Sequence, residues 1–183
     1  MRRGFPVAYP GMRVGLFGGS FDPAHQGHAH VAETALKHLE LDRVWWMVTP
    51  QNPLKPKSSP ISVRIASAQR FARRPRMVVT DLEQRLGAQY TYQTLRALKH
   101  LYPGVRFCLV LGADNLANLR KWKNWREVAA AVPVIVVSRP GAGARERLYA
   151  PKDWTFLSAR FHKQSSTALR KPKRRAVAKT PPE

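Results

Sequence analysis

Short apolar runs alternate along the chain with segments in which apolar residues recur at helical spacing. The runs predict six strands, over residues 12–17, 44–49, 77–80, 105–111, 134–137 and 155–161. Apolar residues three or four positions apart predict helices between most of them, over residues 27–39, 61–71, 92–101 and 125–131. Pro-rich and Gly/Arg-rich stretches at 50–60 and 139–152 predict loops. The pattern therefore predicts strands joined by crossover helices.

The predicted strands are continuous apolar runs, which is typical of strands that are buried on both faces. Alternation of such strands with helices is typical of a parallel sheet. We therefore predict a single α/β domain with a doubly wound parallel sheet over residues 12–171, preceded by an extension at 1–11 and followed by a basic tail at 172–183. Sheets of this kind bind ligands at the carboxyl ends of their strands, where the strand order reverses.

The composition adds a strong positive charge to this picture. Lys and Arg number 32 against 11 Asp and Glu, so that the formal net charge is +21. A cationic surface attracts nucleic acid, anionic lipid and nucleoside phosphates alike. Charge alone therefore does not choose among these partners, and much of it is equally explained as solvated surface charge.

Other features of the sequence predict a cytoplasmic protein that does not enter membranes. No apolar run approaches the roughly 18 residues of a membrane span, and no secretory signal follows the N-terminal arginines. The single cysteine, Cys108, cannot form an internal disulfide. It lies in an apolar run, and we predict that it is a buried core residue.

Removal of the basic tail is expected to have little effect. Residues 172–183 lack apolar periodicity and carry two late prolines, so we predict that they are disordered. A chain that ends at Lys171 should therefore keep nearly the same activity and melting temperature, measured side by side with the full chain. A large drop in melting temperature would show instead that the tail docks on the body.

The strongest chemical signal is the segment GGSFDPAHQGH at residues 18–28, which follows the first predicted strand and opens the first helix. Two glycines let the backbone approach a ligand closely. His25 and His28 are three residues apart and share one face of the helix N-terminus. That end carries unpaired N–H groups and the positive end of the helix dipole, which favour an anion. Residues 18–28 therefore predict a phosphate site.

This segment resembles the H-x-G-H signature of the nucleotidylyltransferases, and more narrowly that of the bacterial nicotinate-nucleotide adenylyltransferases. Four further motifs occur in the family's order. They are TPQNPLK at 49–55, GADNL at 112–116 followed by Trp122 and Trp125, SRPG at 138–141, and SSTALR at 165–170. The resemblance covers roughly residues 12–171, and five collinear motifs make it specific.

The resemblance implies a reaction and a cofactor. The phosphate of nicotinate mononucleotide attacks the α-phosphorus of ATP, pyrophosphate leaves and nicotinate adenine dinucleotide forms. The acceptor phosphate is already ionised, so the protein's contribution is positioning and charge neutralisation. Mg²⁺ is expected, carried by the ATP phosphates with few protein ligands, and the sequence offers no metal-ligand cluster.

The resemblance also assigns residues to the two substrates. His25 and His28 are the expected catalytic residues, as donors to the phosphates at the reacting centre. The expected ATP-binding set is Gly18, Gly19, Ser20, Phe21, His25, His28, Lys55, Gly112, Asp114, Ser166, Thr167 and Arg170. The expected acceptor-binding set is Asn52, Tyr90, Thr91, Trp122 and Arg139. Two of these have structural alternatives, since Asp114 is equally a helix N-cap candidate and Trp122 a packing residue.

The chain departs from the family pattern in the acceptor loop at residues 87–94, where Gln93 replaces an acid, and at Gln164, where an aliphatic residue is common. Two other acceptors therefore stay open, nicotinamide mononucleotide and phosphopantetheine, as does the cytidylyltransferase activity of related H-x-G-H proteins. A nucleic-acid-binding module is the alternative from another class. No nucleic-acid-binding motif supports it, and we expect no specific nucleic-acid partner. The oligomeric state is left open.

Overall fold

The computed structural model describes residues 4–50, 58–116, 118–138 and 154–158, with the backbone alone at Asp114. The strands in these ranges are β1 (Arg13–Gly19), β2 (Arg43–Val48), β3 (Met77–Thr80), β4 (Arg106–Gly112), β5 (Val134–Ser138) and β6 (Thr155–Ser158). The helices are α1 (Gln26–His38), α2 (Ile61–Gln69), α3 (Leu82–Arg85), α4 (Thr91–Leu101), α5 (Ala113–Leu116) and α6 (Trp125–Ala131), with a 3₁₀ turn at Leu119–Lys121.

The six strands form one parallel sheet in the order β3-β2-β1-β4-β5-β6. This is the doubly wound order, whose reversal lies between β1 and β4. The predicted fold class is therefore confirmed. The reversal places the ends of β1 and β4, at Gly19 and Gly112, next to the ligand crevice that the fold provides.

Helices cover both faces of the sheet and enclose two apolar cores. Trp45 and Trp46 are adjacent in β2 and both fully buried, because successive strand residues point to opposite faces. Trp46 belongs to the core with Phe17 and α1, and Trp45 to the core with Leu16 and α4. The predicted burial of Cys108 is confirmed, and burial raises the pKa of its thiol to about 11.

The structure corrects several element boundaries. The first strand does not stop at Phe17, because Gly18 and Gly19 still pair with Met47 and Val48 of β2. Two short helices and the 3₁₀ turn were not predicted, since four residues are too few to show helical periodicity. The second helix ends at Gln69, before Phe71, the last apolar position of its pattern, and before Pro75, near which the sequence predicted its end. Of the predicted strand 155–161, residues 155–158 form β6 and the rest lies outside the described residues.

Candidate active site

The loop that follows β1 places His25 and His28 at the N-terminus of α1. His25 is the N-cap residue, and its Nδ1 accepts a hydrogen bond of 3.0 Å from the Gly27 N–H. The His28 Nδ1 accepts one of 3.2 Å from the His25 N–H. This reciprocal pairing is a capping box, in which imidazoles replace the usual hydroxyl and carboxamide side chains.

The capping box fixes the tautomer of both rings. A neutral imidazole has one N–H and one lone-pair nitrogen, and here each Nδ1 is the acceptor. The proton of each neutral ring therefore lies on Nε2, which makes Nε2 a hydrogen-bond donor. The two ring centroids are only 3.9 Å apart, so the two donors act in one small region. Paired N–H donors at a helix N-terminus suit phosphate oxygens.

Buried aromatic side chains pack against the ring of His28 on the side of the core. Phe21 is 2% exposed, and its ring lies edge-on to His28 at 5.1 Å between centroids and stacks on Trp46 at 5.2 Å. Phe21 has φ +48°, a left-handed conformation that a bulky residue rarely adopts. A Cβ at Gly19 would lie 3.1 Å from this ring, which explains the glycine there. Because the side chain of Phe21 lies in the core, only the backbone of this residue is left to meet a ligand.

Helix α2 holds the same loop from the side. The buried Arg64 guanidinium donates to the carbonyl of Ser20 at 2.9 Å, and the Ser67 hydroxyl accepts from the Ala24 N–H at 3.1 Å. Burial lowers the pKa of Arg64, and the nearby charge of Asp22 raises it in part. Sequence reasoning did not single out Arg64. The one available signal was an arginine among the apolar positions of a predicted helix.

The acceptor loop is shaped by the residue that departs from the family pattern. The Gln93 Oε1 accepts the N–H of Gln89 at 2.9 Å and of Tyr90 at 3.1 Å. Gln93 is the third residue of α4, where a Gln or Glu side chain closes a capping box. The carboxamide thus makes the cap without adding negative charge. It thereby also bonds the two backbone N–H groups that immediately precede α4.

Tyr90 brings the acceptor loop next to the segment that carries Trp122. The Lys123 Nζ lies 4.8 Å from the centroid of the Tyr90 ring, which stacks on Tyr92 at 6.1 Å. Trp122 ends the 3₁₀ turn and packs, half-buried, against the core of Trp45. The structure therefore brings Tyr90, Thr91 and Trp122, predicted from separate motifs, to one side of the molecule.

Two more of the predicted site residues lie at the end of β4 and just after it. Gly112 ends β4 beside the reversal of strand order, and Asp114 is the second residue of α5. The remaining ones lie outside the described residues and stay predictions; they are Asn52, Lys55, Arg139, Ser166, Thr167 and Arg170.

A buried carboxyl group, which sequence reasoning also missed, lies under the acceptor loop. The Glu83 side chain in α3 is 6% exposed, and its Oε1 accepts the Thr94 hydroxyl at 3.2 Å. The Glu83 carbonyl accepts the Ala88 N–H at 2.9 Å. Burial raises the pKa of Glu83, and hydrogen bonds from Thr49 and Thr94 lower it in part. Glu83 thus connects the start of the acceptor loop with the first turns of α4.

The raised pKa of Glu83 predicts how stability depends on pH. The unfolded chain loses this proton near the ordinary value of 4.5, before the folded protein does. The contribution of Glu83 to the free energy of unfolding is therefore fully present below pH 4.5. It is lost as pH rises through the pKa of the folded protein. Relative to wild type, Glu83→Gln should gain stability over this window, by about 1.4 kcal/mol per pH unit. Melting temperatures from pH 4.5 upward test this. Glu40→Gln, at a side chain that is 87% exposed, is measured alongside as the control for the substitution itself.

Comparison with known proteins identifies the chain as a nucleotidyl-transferring enzyme. The sequence model of the cytidylyltransferase-like family matches residues 16–172. A probable nicotinate-nucleotide adenylyltransferase of Roseobacter denitrificans is 50% identical over 170 residues, which are 92% of this chain and 85% of that one. One from a Caulobacter species is 50% identical over 160 residues, covering 86% and 84%. The chain therefore belongs to the cytidylyltransferase-like family and, within it, to the nicotinate-nucleotide adenylyltransferases.

Solved structures extend the likeness of fold. The nicotinic acid mononucleotide adenylyltransferase of Plasmodium falciparum, complexed with NaAD, superposes with a TM-score of 0.72 at 19% identity, covering 87% of this chain and 83% of that one. The same enzyme complexed with APC gives 0.70. Within the described ranges of this chain, no helix is long and apolar enough to cross a membrane.

Proposed function

We propose that this protein joins ATP and nicotinate mononucleotide to give nicotinate adenine dinucleotide and pyrophosphate. A phosphate oxygen of the acceptor bonds to the α-phosphorus of ATP, and the bond from that phosphorus to the oxygen bridging to the β-phosphorus breaks. Pyrophosphate leaves with the electron pair. No proton needs to be removed from an ionised phosphate, so positioned donors are enough.

The observation that carries the proposal is the histidine capping box. Because each Nδ1 accepts a backbone N–H, both rings keep Nε2–H as a donor. In this proposal the Nε2–H groups bind phosphate oxygens at the α-phosphorus, together with the first-turn N–H groups of α1. The pair stabilises the negative charge that develops there in the transition state. Ser20, Gly18 and Gly19 present backbone at the end of β1, beside the same phosphates.

The residues present also fit Mg²⁺ carried by ATP. No group of three or more His, Cys, Asp or Glu side chains that could hold a metal ion occurs among the described residues. Mg²⁺ binds through substrate phosphates with few protein ligands, and it neutralises part of their charge. Lys55 and Arg170 are proposed to hold the triphosphate from their own motifs, with Ser166 and Thr167 as further donors, and Asp114 to accept from the ribose.

The acceptor is proposed to bind between the N-terminus of α4 and the Trp122 segment. Thr91 and Tyr92 are the first residues of α4, and their N–H groups have no partner within a helix. They are suited to a carboxylate, with Trp122 stacking on the pyridine ring and Asn52 and Arg139 supplying further contacts. An enzyme acting on these nucleotides is expected in the cytoplasm.

A substrate panel tests the proposal. Purified protein is mixed with ATP, Mg²⁺ and one phosphorylated acceptor at a time, namely nicotinate mononucleotide, nicotinamide mononucleotide or phosphopantetheine. The dinucleotide of nicotinate should form fastest, with pyrophosphate released in equal amount. A preference for phosphopantetheine, or faster reaction in a parallel panel with CTP in place of ATP, contradicts the assignment. A salt titration with DNA addresses the nucleic-acid alternative, since binding through phosphates weakens steeply with salt.

A further inference from the structure

Arg64 is the one guanidinium among the core residues of the described ranges, at 2% exposed. Its Nε donates to the carbonyl of Ser59 at 2.7 Å and its Nη2 to that of Pro50 at 2.7 Å. Its Nη1 donates to the carbonyls of Ser20 at 2.9 Å and Thr49 at 2.7 Å. One side chain thus connects the ends of β1 and β2 with the start of α2.

These bonds belong to a larger attachment of the histidine loop to α2. The Thr49 N–H donates to the Gly19 carbonyl at 3.0 Å, so the ends of β1 and β2 are also bonded directly. The Asp22 carboxylate accepts the Ser59 N–H at 3.1 Å, and the Ser67 hydroxyl accepts the Ala24 N–H. The loop from Ser20 to Ala24 is therefore fixed to residues 59–67 immediately before His25 begins its helix.

A buried charge is a costly way to stabilise a core. Burial opposes the charged form of Arg64, and an apolar residue of similar volume often stabilises as well or better. What an apolar side chain cannot do is set the relative positions of four carbonyl groups. The planar guanidinium does this because its N–H groups have fixed directions. The four bonds therefore indicate that the ends of β1 and β2 must be held in a defined relative position.

We propose that Arg64 is a positioning residue, which sets the loop from Ser20 to His25 at the place where ATP phosphates bind. Arg64 acts through the backbone of Ser20 and the ends of the strands, without touching the substrate. This inference rests on the proposed function, since it assigns the histidine loop to ATP.

Three variants separate positioning from general stability. Arg64→Lys keeps the positive charge but loses the planar set of N–H donors, and Arg64→Ala removes both. Ile65→Ala is the matched control, because Ile65 lies beside Arg64 on α2 and packs on the core through an apolar side chain, which cannot donate to the carbonyls that Arg64 bonds. Steady-state rates and ATP affinity by equilibrium dialysis are measured well below all melting temperatures. We expect kcat/KM for ATP to fall about tenfold in Arg64→Lys, because one ammonium cannot span four carbonyls. Ile65→Ala should lose melting temperature but little kcat/KM.

Chemical rescue gives a readout that a loss of stability does not produce. Guanidinium ion at low millimolar concentration should raise kcat/KM of Arg64→Ala several-fold by filling the vacated position. It should leave Arg70→Ala unchanged, because Arg70 is exposed at the end of the same helix. Arg64 variants that bind ATP and turn over like Ile65→Ala, with no rescue, would overturn the inference. If wild type binds ATP but forms no dinucleotide, the proposed function fails, and ATP affinity across the variants still decides the role of Arg64.

Discussion

His28→Ala is expected to reduce turnover by roughly a hundredfold or more, because one preorganised donor at developing charge is worth about 3 kcal/mol. His28 also has a structural role, because its Nδ1 accepts the His25 N–H and so caps α1. Alanine therefore also removes a cap, worth about 1 kcal/mol of stability. Single-turnover and steady-state rates, measured at a temperature where the variant is fully folded, give the catalytic part.

His28→Gln is the matched variant that separates the two tasks. A glutamine at the third helical position can accept the N-cap N–H, so the capping box and the melting temperature should be largely retained. Its flexible amide does not place a donor where the imidazole Nε2–H lies, so turnover should stay close to that of His28→Ala. Recovery of wild-type turnover in His28→Gln would show that the cap alone matters and would remove His28 from the chemistry.

The fold could be predicted because its signals are local and repeated. Each central strand is a continuous apolar run, and α1 shows apolar residues at helical spacing from Val31 to Leu36. The parallel sheet and its ligand edge follow from that alternation. The position of the histidine pair was also predictable, because glycines after a strand and a helix start are adjacent in sequence.

The supports of the site could not be predicted, because they depend on contacts between distant residues. Arg64 meets Ser20 across 44 positions, and helical periodicity gives no indication of that distance. Glu83 lies in a four-residue helix that shows no periodicity, so its burial beside the acceptor loop could not be predicted from the sequence. Phe21 was predicted to bind ATP from its place in the motif, whereas its ring packs in the core because its backbone turns at positive φ.

Gln93 shows how a departure from a family pattern can be understood once the contacts are known. The sequence raised the question of whether losing an acid disturbs the acceptor loop. The carboxamide oxygen accepts the same kind of cap bond that a carboxylate accepts, so the loop is still closed. Gln93 and the acid of the family pattern differ in charge, since with Gln93 the first turn of α4 contains no acidic residue.

This neutral cap underlies the second prediction, that nicotinate mononucleotide exceeds nicotinamide mononucleotide by at least about tenfold in kcat/KM. The two acceptors differ by a carboxylate in place of an amide. The N–H groups of Gln89 and Tyr90 are bonded to Gln93, so we expect the N–H groups of Thr91 and Tyr92 at the start of α4 to recognise the carboxylate. Lys123, beside the Tyr90 ring, adds positive charge on this side. Donors, helix dipole and cation all favour an anion.

The amide of the alternative acceptor loses this interaction in two ways. It carries no charge, and bonds to a charged group are roughly twice as strong as neutral ones. Its own NH₂ group would point at N–H donors or turn away, which leaves donors unpaired at about 1–3 kcal/mol. Rates with both acceptors at fixed ATP measure the preference. In Gln93→Ala the cap is lost and the preference should shrink, whereas Gln84→Ala, exposed on α3, should retain it. Equal kcat/KM values in wild type contradict the preference for nicotinate, while adenylyl transfer itself stands.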